Sequence, residues 1–213
     1  MPITRLIVAL ACAAVLGPAA DAAPLAFKGA ELGISVGDWR SLAPPEGAGP
    51  TATPACSDDP TIVRIAHNPL SARPQPSGRE TCAYVDMFGD TVLPHAIMLD
   101  HAYRASDLQY LFDQGRLSEI RFNAPIDAFS DVMVMLRGQY GPPTSTIRDS
   151  MLTPDGRLAR VTATWRLVDG DVTLTDPSAE LTQLNVTIAG QGFGGGPRIA
   201  TTGPARRGQK LSD

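Results

Sequence analysis

The chain has 213 residues, 43% hydrophobic and 6% aromatic, with a formal net charge of −4. That length holds one domain or two small ones and can bury a core. The acidic balance argues against nucleic acid as a partner.

Residues 1–22 read as a secretory signal peptide. Arg5 is the positive n-region, Leu6 to Leu16 form a short apolar run, and Ala20-Asp21-Ala22 is a small-x-small cleavage site. Cleavage is expected after Ala22, which places the mature chain in the bacterial periplasm or outside the cell. The apolar run falls short of the roughly 20 residues needed to span a bilayer. No later segment has a longer one, so the chain is expected not to be transmembrane. Cys12 comes too early in the run, and without the usual leucine three residues before it, to suit lipidation.

Cleavage leaves two cysteines, Cys56 and Cys82. In an exported chain an even pair predicts a disulfide. It would close a loop of 25 intervening residues, worth roughly 3–3.5 kcal/mol in the chain-entropy account. That loop includes the proline-rich stretch at 67–79, which offers few apolar groups of its own. The pair lacks the C-x-x-C spacing of a redox-active dithiol.

Gly33-Ile34-Ser35-Val36-Gly37 fits G-x-S-x-G, the nucleophile elbow of a hydrolase. An elbow needs a buried strand before the serine and a long helix after it. Here Lys28, Gly29 and Glu31 interrupt any buried run, and Pro44-Pro45 ends the helix within about two turns. Ser35 instead suits an N-cap: Asp38 is the third helical residue, and Ile34 and Trp39 occupy the positions of a hydrophobic staple. Farther on, strands are expected at 81–88 and 94–101. A hairpin follows, pairing 108–112 with 117–122 about a turn at 113–116.

The clearest helix runs from Asp127 to Gly141. Phe129, Val132, Met133, Leu136 and Tyr140 share one face, Asp127 is placed to cap the start, and Gly141 with Pro142-Pro143 ends it. Beyond it Val161, Ala163, Trp165 and Leu167 alternate with polar residues. Asp169-Gly170 signals a hairpin that would pair Leu167 with Val172 and Trp165 with Leu174. Leu184, Val186 and Ile188 continue the apolar face on a third strand.

The expected fold class is therefore α+β, with helices packed on antiparallel sheet in two tandem helix-plus-meander units. The expected divisions are the signal peptide at 1–22, an N-terminal α+β unit with its stapled loop at 23–124, a C-terminal helix and three-stranded meander at 125–189, and a Gly/Pro-rich disordered tail at 190–213. In that tail Arg198, Arg206, Arg207 and Lys210 against Asp213 give +3, which leaves −7 on the body.

Three patterns carry a resemblance: Gly33-Ile34-Ser35-x-x-Asp38-Trp39, the run Tyr110 to Phe122, and Phe129-x-x-Val132-x-x-x-Leu136-x-x-x-Tyr140-Gly141-Pro142-Pro143 ahead of the Trp165 hairpin. Together they resemble a loose class of exported bacterial proteins that includes the outer-membrane-assembly lipoprotein BamE and the secreted β-lactamase inhibitor proteins. The resemblance implies helical segments followed by antiparallel strands, and binding without catalysis.

Other chemistry-bearing residues have plain structural readings. His67, His95 and His101 lack metal-binding spacing, although His95 and His101, with Asp100 and Asp107 near, would share a strand face. Ser57-Asp58-Asp59-Pro60 reads as a turn, as do the glycine-flanked pairs Asp86/Asp90 and Asp169/Asp171. Asn185-Val186-Thr187 fits a glycosylation sequon inside a strand. The glycines at 191–196 lack the strand-to-helix context of a phosphate loop. No catalytic, cofactor or metal residue is assigned. The expected function is a non-catalytic module that binds another envelope protein. The alternatives are a small envelope hydrolase and a carrier of a small ligand or metal.

Overall fold

The computed structural model describes residues 25–65, 68–71, 78–99, 102–179 and 181–191. The expected signal segment, Cys12, His67, His101, Asp100 and nearly all of the expected tail lie outside them.

Lys28-Gly29 turns the chain between two short strands, β1 (Ala26–Phe27) and β2 (Ala30–Glu31). Helix α1 (Val36–Arg40) follows and buries Trp39 completely. The next strands are β3 (Thr53–Cys56), β4 (Arg79–Phe88), β5 (Thr91–Pro94), β6 (Ile97–Met98), β7 (Arg104–Asp113) and β8 (Arg116–Pro125). A 3-10 turn at Ile126–Ala128 leads into helix α2 (Phe129–Tyr140). Four strands close the fold: β9 (Ser145–Thr153), β10 (Gly156–Leu167), β11 (Gly170–Asp176) and β12 (Gln183–Gly190).

The main sheet is antiparallel, in the order β3-β4-β7-β8-β12-β11-β10-β9, with β5 beside β4 and β6 beside β7. The expected α+β class of two helix-plus-meander units is therefore corrected. Strand accounts for 52% and helix for 14%, so the sheet is the frame and the helices are its cover. The first helix is five residues long. The last strand does not stay at the end of a separate meander. It inserts beside β8, where Leu184, Val186 and Ile188 stand opposite Ala124, Phe122 and Ile120. One core cluster runs from Leu25 to Ile188, with Val132, Met133 and Leu136 of α2 in it. Alternation marks which face of a strand is apolar, but it carries no information about the lateral neighbour, and β8 offers the same apolar face to strands on either side.

Local readings are corrected in four places. The expected meander has a fourth strand, β9, whose residues are mostly exposed and lack the apolar alternation of a core strand. The hairpin turn is Val168-Asp169, so Leu167 pairs with Gly170 and Trp165 with Val172. This is a shift of two residues, which leaves the apolar face unchanged. Gly170 is required because a Cβ there would overlap the Ala189 carbonyl of the neighbouring strand. Finally, Asp127 sits in the 3-10 turn, and Ala128 is the N-cap without a side-chain bond. The strand expected at 94–101 is broken into β5 and β6 at His95-Ala96.

The helix ends are tied to the sheet by hydrogen bonds. Gly141 adopts φ +78° after α2, and its carbonyl accepts a 2.8 Å bond from Trp165 Nε1. Tyr140 Oη donates to the Ala26 carbonyl at 3.0 Å, and burial pushes its pKa up to about 12. Trp39 packs against Tyr84, Tyr110 and Phe112, which anchors the short α1. Among the described residues no helix is long and apolar enough to cross a membrane.

Candidate functional site

Side chains opposite one another in neighbouring strands share a sheet face. Alternate residues of β10, β11, β12 and β8 point into the core, so the residues between them line the other face. The registers place Thr164, Thr173, Thr187, Arg121 and Gln109 in one row across five strands. A second row holds Thr162, Thr175, Asn185, Asn123 and Ser106. All ten are half-buried, and none is apolar.

The rows are tied laterally. Asn185 Nδ2 donates to Asn123 Oδ1 at 2.9 Å and to the Phe122 carbonyl at 3.3 Å. Thr187 Oγ1 donates to Asn185 Oδ1 at 3.1 Å, and Asn123 Nδ2 donates to Asp107 Oδ2 at 3.3 Å. Arg121 is ion-paired with the buried Glu119 beside it. The result is a plate of hydroxyls and amides that can both donate and accept, preorganised by its own bonds.

At its β3–β4 end the same face is covered. Ile62, Ile65 and Leu70 from the loop between the cysteines pack on Ala55, Ala83, Val85 and Val92 as a second apolar cluster. The Cys56–Cys82 disulfide, joining directly opposed residues of β3 and β4, holds the root of that loop. Most of the proline-rich stretch at 67–79 lies outside the described residues.

No family model, curated protein or solved structure matches the chain.

The sequence-predicted residues fall in separate places. Ser35 caps α1: its Oγ accepts the Asp38 N–H at 3.1 Å and donates to Asp38 Oδ2 at 2.7 Å. Its backbone is pinned to the turn before β8, with the Val36 N–H on the Gly115 carbonyl. His95 accepts the Gly49 N–H on Nδ1 at 3.3 Å, and its Nε2 stands 2.8 Å from Asp86 Oδ2, off the axis of a good hydrogen bond. The Thr51 hydroxyl, then His95, hold the Asp86 carboxyl below its usual range. Asp90 lies in the β4–β5 turn and Asp169 in the β10–β11 turn. Asn185 is in β12, inside the polar face.

The Ser57-Asp58-Asp59-Pro60 turn forms as expected, and it reaches further than its sequence suggested. Asp59 accepts the Cys56 N–H at 2.7 Å and pairs with Arg40 of α1 at 2.7 Å. Asp58 meets Glu80, a residue the sequence reading passed over. Burial, then a hydrogen bond from this carboxyl pair, pushes the Glu80 pKa up to about 7. The clue was present as C-x-D at 56–58 and E-x-C at 80–82, since opposed cysteines two residues away bring the two acids together. Donor atoms of Cys56, Cys82 and Glu80 also lie together, but the disulfide consumes both thiolates that a soft metal would need. A shallow cleft lined by Leu99, Tyr103, Asp131, Val132 and Met135 is far smaller than a typical ligand site.

Proposed function

We propose that the protein is an exported, non-catalytic module that binds another envelope protein through the polar face of β10, β11, β12 and β8. The observation that carries this reading is the pair of hydrogen-bonded side-chain rows on that face. A plate already ordered loses little rotamer entropy on contact, which favours binding. The disulfide supports an oxidising compartment, and the signal-peptide pattern supports export. The resemblance to exported binding proteins points the same way. Ser35, as a cap bonded to Asp38, lends nothing to a hydrolase.

The test is in-cell crosslinking and pull-down of the tagged chain exported by its own leader. It is run beside a Thr173→Arg/Thr187→Arg variant and one lacking 192–213. The expected result is a stoichiometric envelope partner that the face variant loses while its disulfide and melting are retained. A partner kept by the face variant, or no reproducible partner, overturns the reading. Loss on deleting 192–213 alone would move the contact to the basic tail and also overturn it.

A further inference from the structure

The β9–β10 hairpin leaves the body of the sheet. The last rung between β10 and β11 is Val161–Asp176, so residues 156–160 pair only with β9. Beyond that rung two strands stand alone, and an isolated two-stranded ribbon is marginal in water. This ribbon carries apolar groups in the open: Leu152 is 82% exposed, Ile147 59% and Leu158 37%. Met151 stands opposite Leu158 on the polar-face side, four residues along from Ile147 with Asp149 between them on that face.

β9 is also the end of the sheet, with no strand on its outer side among the described residues. Sheet edges are usually blunted by a bulge, a proline, charged side chains or shortness. β9 has no bulge and no proline, and nine consecutive rungs join it to β10 without a shift; its two charges are Arg148 and Asp149, the latter already paired with Arg160. The opposite edge, β3, is four residues long and contains Pro54. Head-to-tail joining of β9 to β3 would need both edges open. Pairing of β9 with its own copy needs only one, and it closes after two chains.

We propose that the chain forms a twofold dimer by antiparallel pairing of β9 with β9 of a second copy. The axis is normal to the sheet and passes through Asp149. In this register all nine residues overlap, Ile147 faces Met151 of the copy, and Thr146 faces Leu152. The two lone ribbons become one four-stranded ribbon with a shared apolar strip. Asp149 meets its copy on the axis, and each carboxylate is already neutralised by two bonds from Arg160, at 2.9 and 2.6 Å. A twofold axis normal to a sheet keeps each face on its own side, so the two polar faces become one continuous surface. The dimer stands on the ribbon alone and does not depend on what that surface binds.

The test measures the mass of the oxidised mature chain in solution against concentration, with two variants. The outward N–H groups of β9 belong to Thr146, Arg148, Ser150 and Leu152, because Thr153–Gly156 closes the hairpin and alternate residues bond to β10. Arg148→Pro therefore removes an outward donor and leaves the β9–β10 ladder intact. The expected result is a doubled mass for wild type and the single-chain mass for Arg148→Pro, with melting retained. Asp149→Cys should oxidise to a covalent dimer, because opposed non-hydrogen-bonded residues lie about 4.5 Å apart at Cα, within disulfide reach. Val168→Cys, exposed at a turn away from the edge, is the control. A monomeric wild type overturns the proposal, as does a dimer that survives Arg148→Pro. If Arg148→Pro fails to fold, crosslinking decides: Asp149→Cys no faster than Val168→Cys overturns the proposal equally.

Discussion

Replacing Glu80 with glutamine should flatten the dependence of stability on pH. Glu80 is pushed up to about 7 in the folded chain against 4.5 when unperturbed, because it is partly buried and hydrogen-bonded to Asp58. The folded state therefore holds more protons than the unfolded state between about pH 4.5 and 7. The stabilisation is fully present below 4.5 and is lost as pH rises through 7. At 1.36 kcal/mol per pH unit the shift sets a ceiling of about 3.4 kcal/mol. Asp58 is exposed, and solvent screening reduces this to about 1 kcal/mol. Glutamine keeps a donor toward Asp58 and cannot ionise. Wild type should thus lose about 2–4 °C of melting temperature relative to Glu80→Gln between pH 4.5 and 8, at roughly 2–4 °C per kcal/mol for a chain this size. Thermal melts with the disulfide intact are the assay, and the difference between the two curves is the readout. Asp176, raised by burial, is common to both chains and cancels. Asp86 and Asp149 are lowered, so their contributions are lost only as pH falls below the ordinary aspartate range, outside this window. Parallel melting curves across pH 4.5–8 would refute the account of a buried, hydrogen-bonded Glu80.

Two further outcomes are expected. Ser35→Ala should cost about 1 kcal/mol in urea unfolding, the usual cost of losing an N-cap. A fully stable Ser35→Ala would show that the Asp38 bond does not hold α1. Replacing both Cys56 and Cys82 with alanine should cost roughly 3 kcal/mol, seen as a lower urea midpoint with a steeper slope because the unlinked denatured chain exposes more surface. A midpoint that does not move would mean that the apolar cluster of Ile62, Ile65 and Leu70 seats the loop unaided.

Several features were legible because their signals are local. The Ser35 cap needs only residues 35–39, and the face of α2 needs only its own spacing. The hairpin about Gln114-Gly115 is marked by its turn and flanking alternation. The cysteine pairing followed from there being two of them beyond the expected leader. Glu80 was missed because one carboxylate in a strand says nothing until its partner across the ladder is known. β9 was missed because an exposed ribbon has no apolar period to read. The polar face was visible as Thr-x-Thr and Asn-x-Thr in separate strands, but its rows depend on registers that a two-residue slip changes without altering any strand's pattern.

Alternation and capping, which act within a few residues, settled by themselves the Ser35 cap, the buried face of α2 and the apolar faces of β7, β8, β10, β11 and β12. The tertiary structure alone decided that β12 lies against β8, making one sheet where two units were expected. It also decided that β9 is left at the edge. Lateral strand order is chosen by which apolar faces can be buried together over long separations in sequence, and no local period records that choice.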